Sequence, residues 1–159
     1  MGRLAHKLSE GTPGADDTFT AGLLLDVGLL VLAAHEPECL AEVLMAAERE
    51  GQPAHEIELD RHGITHAEIG AHLLALWGLP HTIVEAVAHH HRPLRSPAPL
   101  FDAIATVHIA DALVADSETR PRDGHTGLSR IDPDYLDRIG VTDRIGEWQQ
   151  LASIELATT

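Results

Sequence analysis

Four helical stretches of this chain each carry an apolar row interrupted by a residue of a metal-binding type. The interruptions are Asp26, His66, a member of the run His89-His90-His91, and Asp111. A carboxylate or imidazole aimed at a core must find a partner there. This pattern constrains the fold most: four helices have to pack so that these side chains meet one another or a shared ion.

Helical spacing defines the rows. Asp26 continues Phe19, Leu23 and Leu30; His66 heads Ile69, Leu73 and Leu76; Asp111 falls with Leu100, Ile104, Val107 and Val114. Before Pro93 the row is Ile83 and Val87, which His90 and His91 continue, while His89 lies nearer the face of Glu85. Consecutive helical residues are rotated by roughly 100°, so three adjacent histidines cannot all serve one site, and His90 and His91 are the pair expected to face inward.

The punctuation between rows predicts an all-α bundle of about seven to eight helices. Residues 1–14 read as the frayed end of a truncated helix plus a linker, and 15–159 as the helical domain. Helices are expected over about 17–34, from Pro37 to Gly51, over 54–61, from the capping-box pattern Thr65-His66-Ala67-Glu68 to Trp77, and from the Gly78-Leu79-Pro80 corner to His91. A long helix follows over about 98–117, then a polar loop from Ser117 to Ser129, a short helix from Asp132-Pro133 to Gly140, and a last helix capped by Thr142. No strand alternation or internal repeat is visible.

Length and composition fit one domain with a sizeable core: 159 residues, 44% of them hydrophobic. Only 3% are aromatic, so aliphatic side chains must fill that core. A net charge of −14 argues against nucleic acid as a partner. The longest apolar run, Ala21 to Ala34, is broken by Asp26 and reads as too short for a membrane span. A single cysteine, Cys39, allows no intrachain disulfide and fits a cytoplasmic protein. Cys39 reads as a small buried hydrophobe, Trp77 as packing a helix end, and the acidic residues from Glu36 to Asp60 as a solvated face. His62, His72 and His81 read as surface positions, and His108 as a possible partner of Asp111 one turn away.

Two acids and two or three imidazoles from four helices suit a divalent metal that lowers the pKa of a bound water for phosphate-ester hydrolysis. The alternative is a buried Asp–His network that fixes helix packing and binds nothing.

The segment Phe19-Thr20-Ala21-Gly22-Leu23-Leu24-Leu25-Asp26-Val27-Gly28 resembles the part of the HD superfamily that carries the His-Asp doublet. Four further blocks resemble the HDOD branch of that superfamily, in matching order: Thr65-His66-Ala67-Glu68-Ile69-Gly70, then Trp77-Gly78-Leu79-Pro80 with Ile83-Val84, then His89-His90-His91 with Pro93, then Val107-His108-Ile109-Ala110-Asp111. The resemblance is to the C-terminal part of an HDOD domain. It implies a bacterial signalling module related to metal-dependent phosphohydrolases, including the HD-GYP cyclic-di-GMP phosphodiesterases. The relatives' metal positions carry over as Asp26, His66, His90 or His91, and Asp111.

Three departures weigh against catalysis. The doublet histidine is Leu25, the lysine that often follows the doublet's glycine is Leu29, and Arg92-Pro93-Leu94-Arg95 stands where a GYP-type segment would follow. The remaining ligands suffice for one ion at best. The expectation is a non-catalytic regulatory module acting through contacts with a protein partner, a neighbouring signalling domain or a second copy. The alternative is a metal-dependent hydrolase of a nucleotide or cyclic dinucleotide.

Overall fold

The computed structural model describes residues 1–12, 14–96, 100–117 and 131–157, and their regular secondary structure is entirely helical. Among the described residues there are ten α-helices: α1 (Gly2–Leu8), α2 (Ala15–Leu24), α3 (Val27–His35), α4 (Pro37–Glu50), α5 (Ala54–His62), α6 (His66–Leu76), α7 (His81–His89), α8 (Ala103–Ser117), α9 (Pro133–Arg138) and α10 (Ile145–Ala157). Single 3-10 turns lie at Pro93–Arg95 and Thr142–Arg144.

The helix count exceeds the expected seven to eight chiefly because the apolar stretch over 17–34 is two helices. The chain turns at Leu25–Asp26, so the row drawn through both halves does not exist as one stripe. Phe19, Leu23 and Leu30 are 39%, 68% and 70% exposed. The buried face of α2 is instead Thr18, Ala21 and Gly22, continued by Leu25. By length and composition Ala15–His35 is apolar enough to cross a membrane; here it is broken in two, and α2 packs against α1, α7 and α8.

Local signals elsewhere act as their chemistry requires. Pro37 opens α4, and Gly51 and Gly63 end α4 and α5 with φ of 64° and 72°. Thr65 and Glu68 form both halves of a capping box at the start of α6. Asp132 caps α9 through the Tyr135 N–H at 3.0 Å. Thr142 does not cap the last helix; it begins a 3-10 turn, and α10 starts at Ile145. The expected loop from Ser117 to Ser129 lies, beyond Ser117, outside the described residues.

The main core gathers α1, α2, α6, α7, α8 and the C-terminal helices. Residues 104–113 of α8 are buried on every side, as expected for an apolar helix at the centre of a bundle. Leu100, placed on its row by spacing, precedes the helix and is exposed. The first helix is not a frayed end: Leu4, Ala5 and Leu8 are buried in this core. Arg3 and Lys7 bind Glu155 and so tie α1 to α10. At the far end Trp148 stacks on Phe101 with centroids 5.4 Å apart, and the Arg144 guanidinium lies over both rings. Trp77, expected to pack a helix end, is exposed.

One contact positions the site. The α3 backbone lies directly on the start of α6 at Gly28 and Gly70. A Cβ at Gly28 would stand 1.9 Å from the His66 carbonyl oxygen. Two residues before Gly28 stands Asp26, so this crossing brings Asp26 to His66. Gly28→Ala is expected to lower stability by about 2–3 kcal/mol through overpacking of backbone on backbone. Gly146→Ala, in α10 with nothing within 4 Å, is expected to raise it by about 0.5–1 kcal/mol through helix propensity. Urea midpoints of the two variants check both signs.

Candidate metal centre

His66 is the pivot. The capping box fixes it at the first position of α6, where it is buried. Its ring Nδ1 lies 2.7 Å from Glu58 Oε2, which also accepts the His66 backbone N–H at 2.8 Å. Nδ1 therefore carries the proton shared with Glu58, and Nε2 points the other way. That nitrogen lies 3.5 Å from Asp26 Oδ1 and 3.1 Å from His91 Nε2. A carboxylate behind an imidazole is the arrangement that orients metal-ligating histidines.

His90 and His91 follow the last residue of α7 and not, as expected, its final turn. The Val87 carbonyl accepts from His90 Nδ1 at 2.7 Å, which leaves His90 Nε2 a bare lone pair. That atom is buried and has no hydrogen-bond partner, as is His91 Nδ1. His91 stacks on His55, with ring centroids 4.1 Å apart and planes at 11°. One ligand atom from each of Asp26, His66, His90 and His91 falls within a 4.8 Å set. Two nitrogens on a tetrahedral ion stand about 3.3 Å apart, close to the His66–His91 spacing.

Sequence spacing placed Asp111 in the same site. It comes near without joining the set: its Oδ2 is 4.0 Å from His91 Nδ1. His108, the possible partner of Asp111, is buried, and its ring binds the His90 carbonyl and the Asp132 N–H. It clamps the end of α7 to the start of α9. His89 stays at the surface side, partly exposed.

Two residues escaped the sequence reading. Glu58 was grouped with a solvated acidic face and is 2% exposed; His55 was not singled out and is 8% exposed. Their sign in the sequence is a spacing of three on one helix, beside the buried Ala54 and Ile57. Cys39 is partly exposed and no inert hydrophobe, since its Sγ lies 3.3 Å from His62 Nε2. His62, His72 and His81 are exposed.

The protonation pattern follows from burial and neighbours. Burial pulls His66 down, but hydrogen bonds to Asp26 and Glu58, with their charges, outweigh it and raise its pKa to about 9. Burial and the nearby His66, His90 and Arg92 hold His55 at about 3. Burial likewise lowers His90, His91 and His108. Without an ion, His66 is thus the protonated member, held between two carboxylates. The donor chemistry fits one divalent ion of the zinc, manganese, iron or nickel type: three imidazoles, one carboxylate and a lone pair with nothing else to bind. The position of the doublet histidine adds no donor, because Leu25 is 2% exposed and packed in the core.

Residues 1–93 match the family model for the HDOD domain. That is more than half of the chain, which therefore belongs to the HDOD domain family. A protein of unknown function from Treponema pallidum (strain Nichols) is 30% identical over 115 residues, which is 72% of this chain and 21% of that protein. Two solved structures share the fold. One, a protein from Shewanella amazonensis SB2B named a candidate phosphohydrolase, has a TM-score of 0.71 at 22% identity and covers 96% of this chain. The other, an HDOD domain protein with unknown function from Geobacter sulfurreducens, has a TM-score of 0.73 at 23% identity and covers 99%. The chain spans 55% of each solved chain.

The opposed pKa shifts give the metal-free protein a stability optimum. Above pH 6.5 the four depressed histidines are neutral both folded and unfolded. Below it the unfolded chain binds protons the folded one refuses, and stability falls by up to about 1.4 kcal/mol per pH unit for each. For His66 the sign reverses: its contribution is complete below pH 6.5 and is lost as pH rises through about 9. Urea midpoints of chelator-treated protein between pH 5 and 9 are expected to peak near 6.5, and a flat profile would contradict these states.

Proposed function

We propose that this chain is a regulatory HDOD module that holds one divalent ion as a structural tie, hydrolyses no phosphate ester, and signals in the bacterial cytoplasm through protein–protein contacts. The observation that carries the reading is a pair. Four donor atoms converge within 4.8 Å, while Leu25, at the position of the doublet histidine, is sealed in the apolar core. An ion held by Asp26, His66, His90 and His91 would link the turn before α3, the start of α6 and the end of α7. When bound, such an ion polarises an attached water or phosphoryl oxygen. A two-ion clamp on attacking and leaving oxygens needs further donors, and the position of Leu25 adds none.

The contact surface fits the exposed side chains of Phe19 and Leu23 on α2 and of Leu30 on α3, which leave apolar area at the surface. The occupant favoured here is a neighbouring signalling domain or a second copy of the chain. Net charge of −14 disfavours nucleic acid.

Elemental analysis of purified protein is expected to give about one transition-metal ion per chain. His90→Ala removes a direct ligand that has no other bond at Nε2, and should cost more than the about 10–100-fold typical of losing a group behind a ligand. No bound metal after incubation with zinc, manganese or iron would sink the tie. The second reading, a hydrolase of a nucleotide or cyclic dinucleotide, is favoured by the fold shared with the Shewanella protein. Turnover of bis(p-nitrophenyl) phosphate or a cyclic dinucleotide that disappears in Asp26→Ala would establish it; the expected result is no turnover with any of the three metals. Sedimentation over a concentration series, with Leu23→Glu as the disrupting variant, tests self-association.

A further inference from the structure

The hairpin α4–α5 has a core of its own. Val43, Ala46, Ala47, Ala54 and Ile57 form it, with Leu44 packed against them. No apolar side chain of α4 or α5 belongs to the main core. Polar contacts tie the two helices further: Cys39 Sγ lies 3.3 Å from His62 Nε2, and Arg61 reaches Glu50 at 3.4 Å. At one end the hairpin joins the bundle through Glu36, the single residue between α3 and α4. At the other it joins through Gly63, whose φ of 72° few other residues adopt.

The seam between hairpin and bundle is uneven. On its aliphatic side, Leu40 and Val43 of α4, Leu32 of α3 and Ile69 of α6 surround a cavity of about 290 Å³. Well-packed interiors leave few voids larger than a water molecule, and the walls of a void forgo dispersion contacts. On its polar side, α5 meets the metal centre. Glu58 Oε2 accepts from both the ring and the backbone of His66, and His55 stacks on His91. Docking of the hairpin is therefore loose along the aliphatic seam and firm at two of the four candidate ligands.

We infer that α4–α5 is a lid: it opens from the bundle as one unit, and an ion at the metal centre holds it closed. In the closed state Glu58 and His55 are positioning residues, since they fix the rings of His66 and His91. Opening releases both rings, so the open form binds the ion more weakly. By linkage, the ion shifts the hairpin toward the closed state by the same factor. Opening also uncovers the aliphatic side chains of the seam, a surface whose exposure the ion then controls. The coupling rests on the metal-centre reading above. The separate opening of the hairpin does not, because it follows from the second core and the loose seam.

Amide hydrogen exchange of the full chain, followed by peptide mass spectrometry, reads both parts. In chelator-treated protein the amides of α4 and α5 are expected to exchange roughly tenfold faster or more than those of the buried stretch 104–113 in α8. Their exchange should also depend less on urea, because a smaller surface is exposed. Ile109→Val, in the main core, should speed exchange in α8 about fivefold and leave α4 and α5 unchanged. One common rate and urea dependence for both groups, or equal acceleration by Ile109→Val, means that the hairpin opens only with the whole chain, and overturns the lid. Glu58→Gln removes the charge that grips His66 and should speed exchange in α4 and α5 roughly tenfold; unchanged exchange there overturns the role of Glu58. Zinc at about 100 times its dissociation constant should slow α4 and α5 by up to about 100-fold, the limit for an open form that holds no ion. Slowing in α8 with none in α4 and α5 means that the open form holds the ion as well as the closed one, and overturns the coupling. No slowing in either overturns the metal reading and the coupling together, while the exchange of the chelator-treated protein still decides the lid.

Discussion

The crossing of α3 on α6 at Gly28 and Gly70 is the contact on which the site depends. Two backbones touch there with no side chain between them. Any larger residue would push α3 away, and Asp26 with it. The capping box works from the other side, since it fixes where α6 begins and sets His66 at the first helical position facing Asp26. Neither device contains one of the candidate ligands, yet together they decide whether two of the four candidate ligand atoms meet.

Around that crossing the polar groups form a shell of unequal strength. Glu58 grips His66 twice, through ring and backbone. His90 is oriented by a backbone carbonyl, and His91 by stacking on His55. These contacts fix the rings before any ion arrives, so little conformational entropy remains to be lost on binding. The arrangement also leaves the bare lone pair of His90 Nε2 in a buried place, which a packing network would avoid and an ion would satisfy.

The same shell limits the chemistry. Leu25 turns the doublet position into core, and Asp111 stands 4.0 Å from His91, outside the converging set. On the reading proposed above, the four donors hold helices together and do not clamp a transferring phosphoryl group. Membership of the HDOD family and the fold shared with two solved chains are compatible with this reading, because fold alone does not carry activity.

Helix-forming periodicity, capping residues and glycine stops were legible in the sequence, because each is a local property of a few adjacent residues. That made the all-α class, the start of α6 and the inward pair His90 and His91 readable before any packing was known. The sequence also showed, through Leu25 beside Asp26, that the doublet was incomplete. What it did not determine was which face of each helix is inside. Phe19, Leu23 and Leu30 have helical spacing, but the turn at Leu25–Asp26 puts them on two helices, and on α2 the small residues Ala21 and Gly22 make the close contact while Phe19 and Leu23 face out. Glu58 and His55 were hidden for a related reason. They are polar residues on a short acidic helix, and only the packing of α5 beside α6 gives one a histidine to hold and the other a ring to stack on. Burial is a relation between segments distant in the chain, so the tertiary structure alone could turn a histidine-rich sequence into four converging donor atoms.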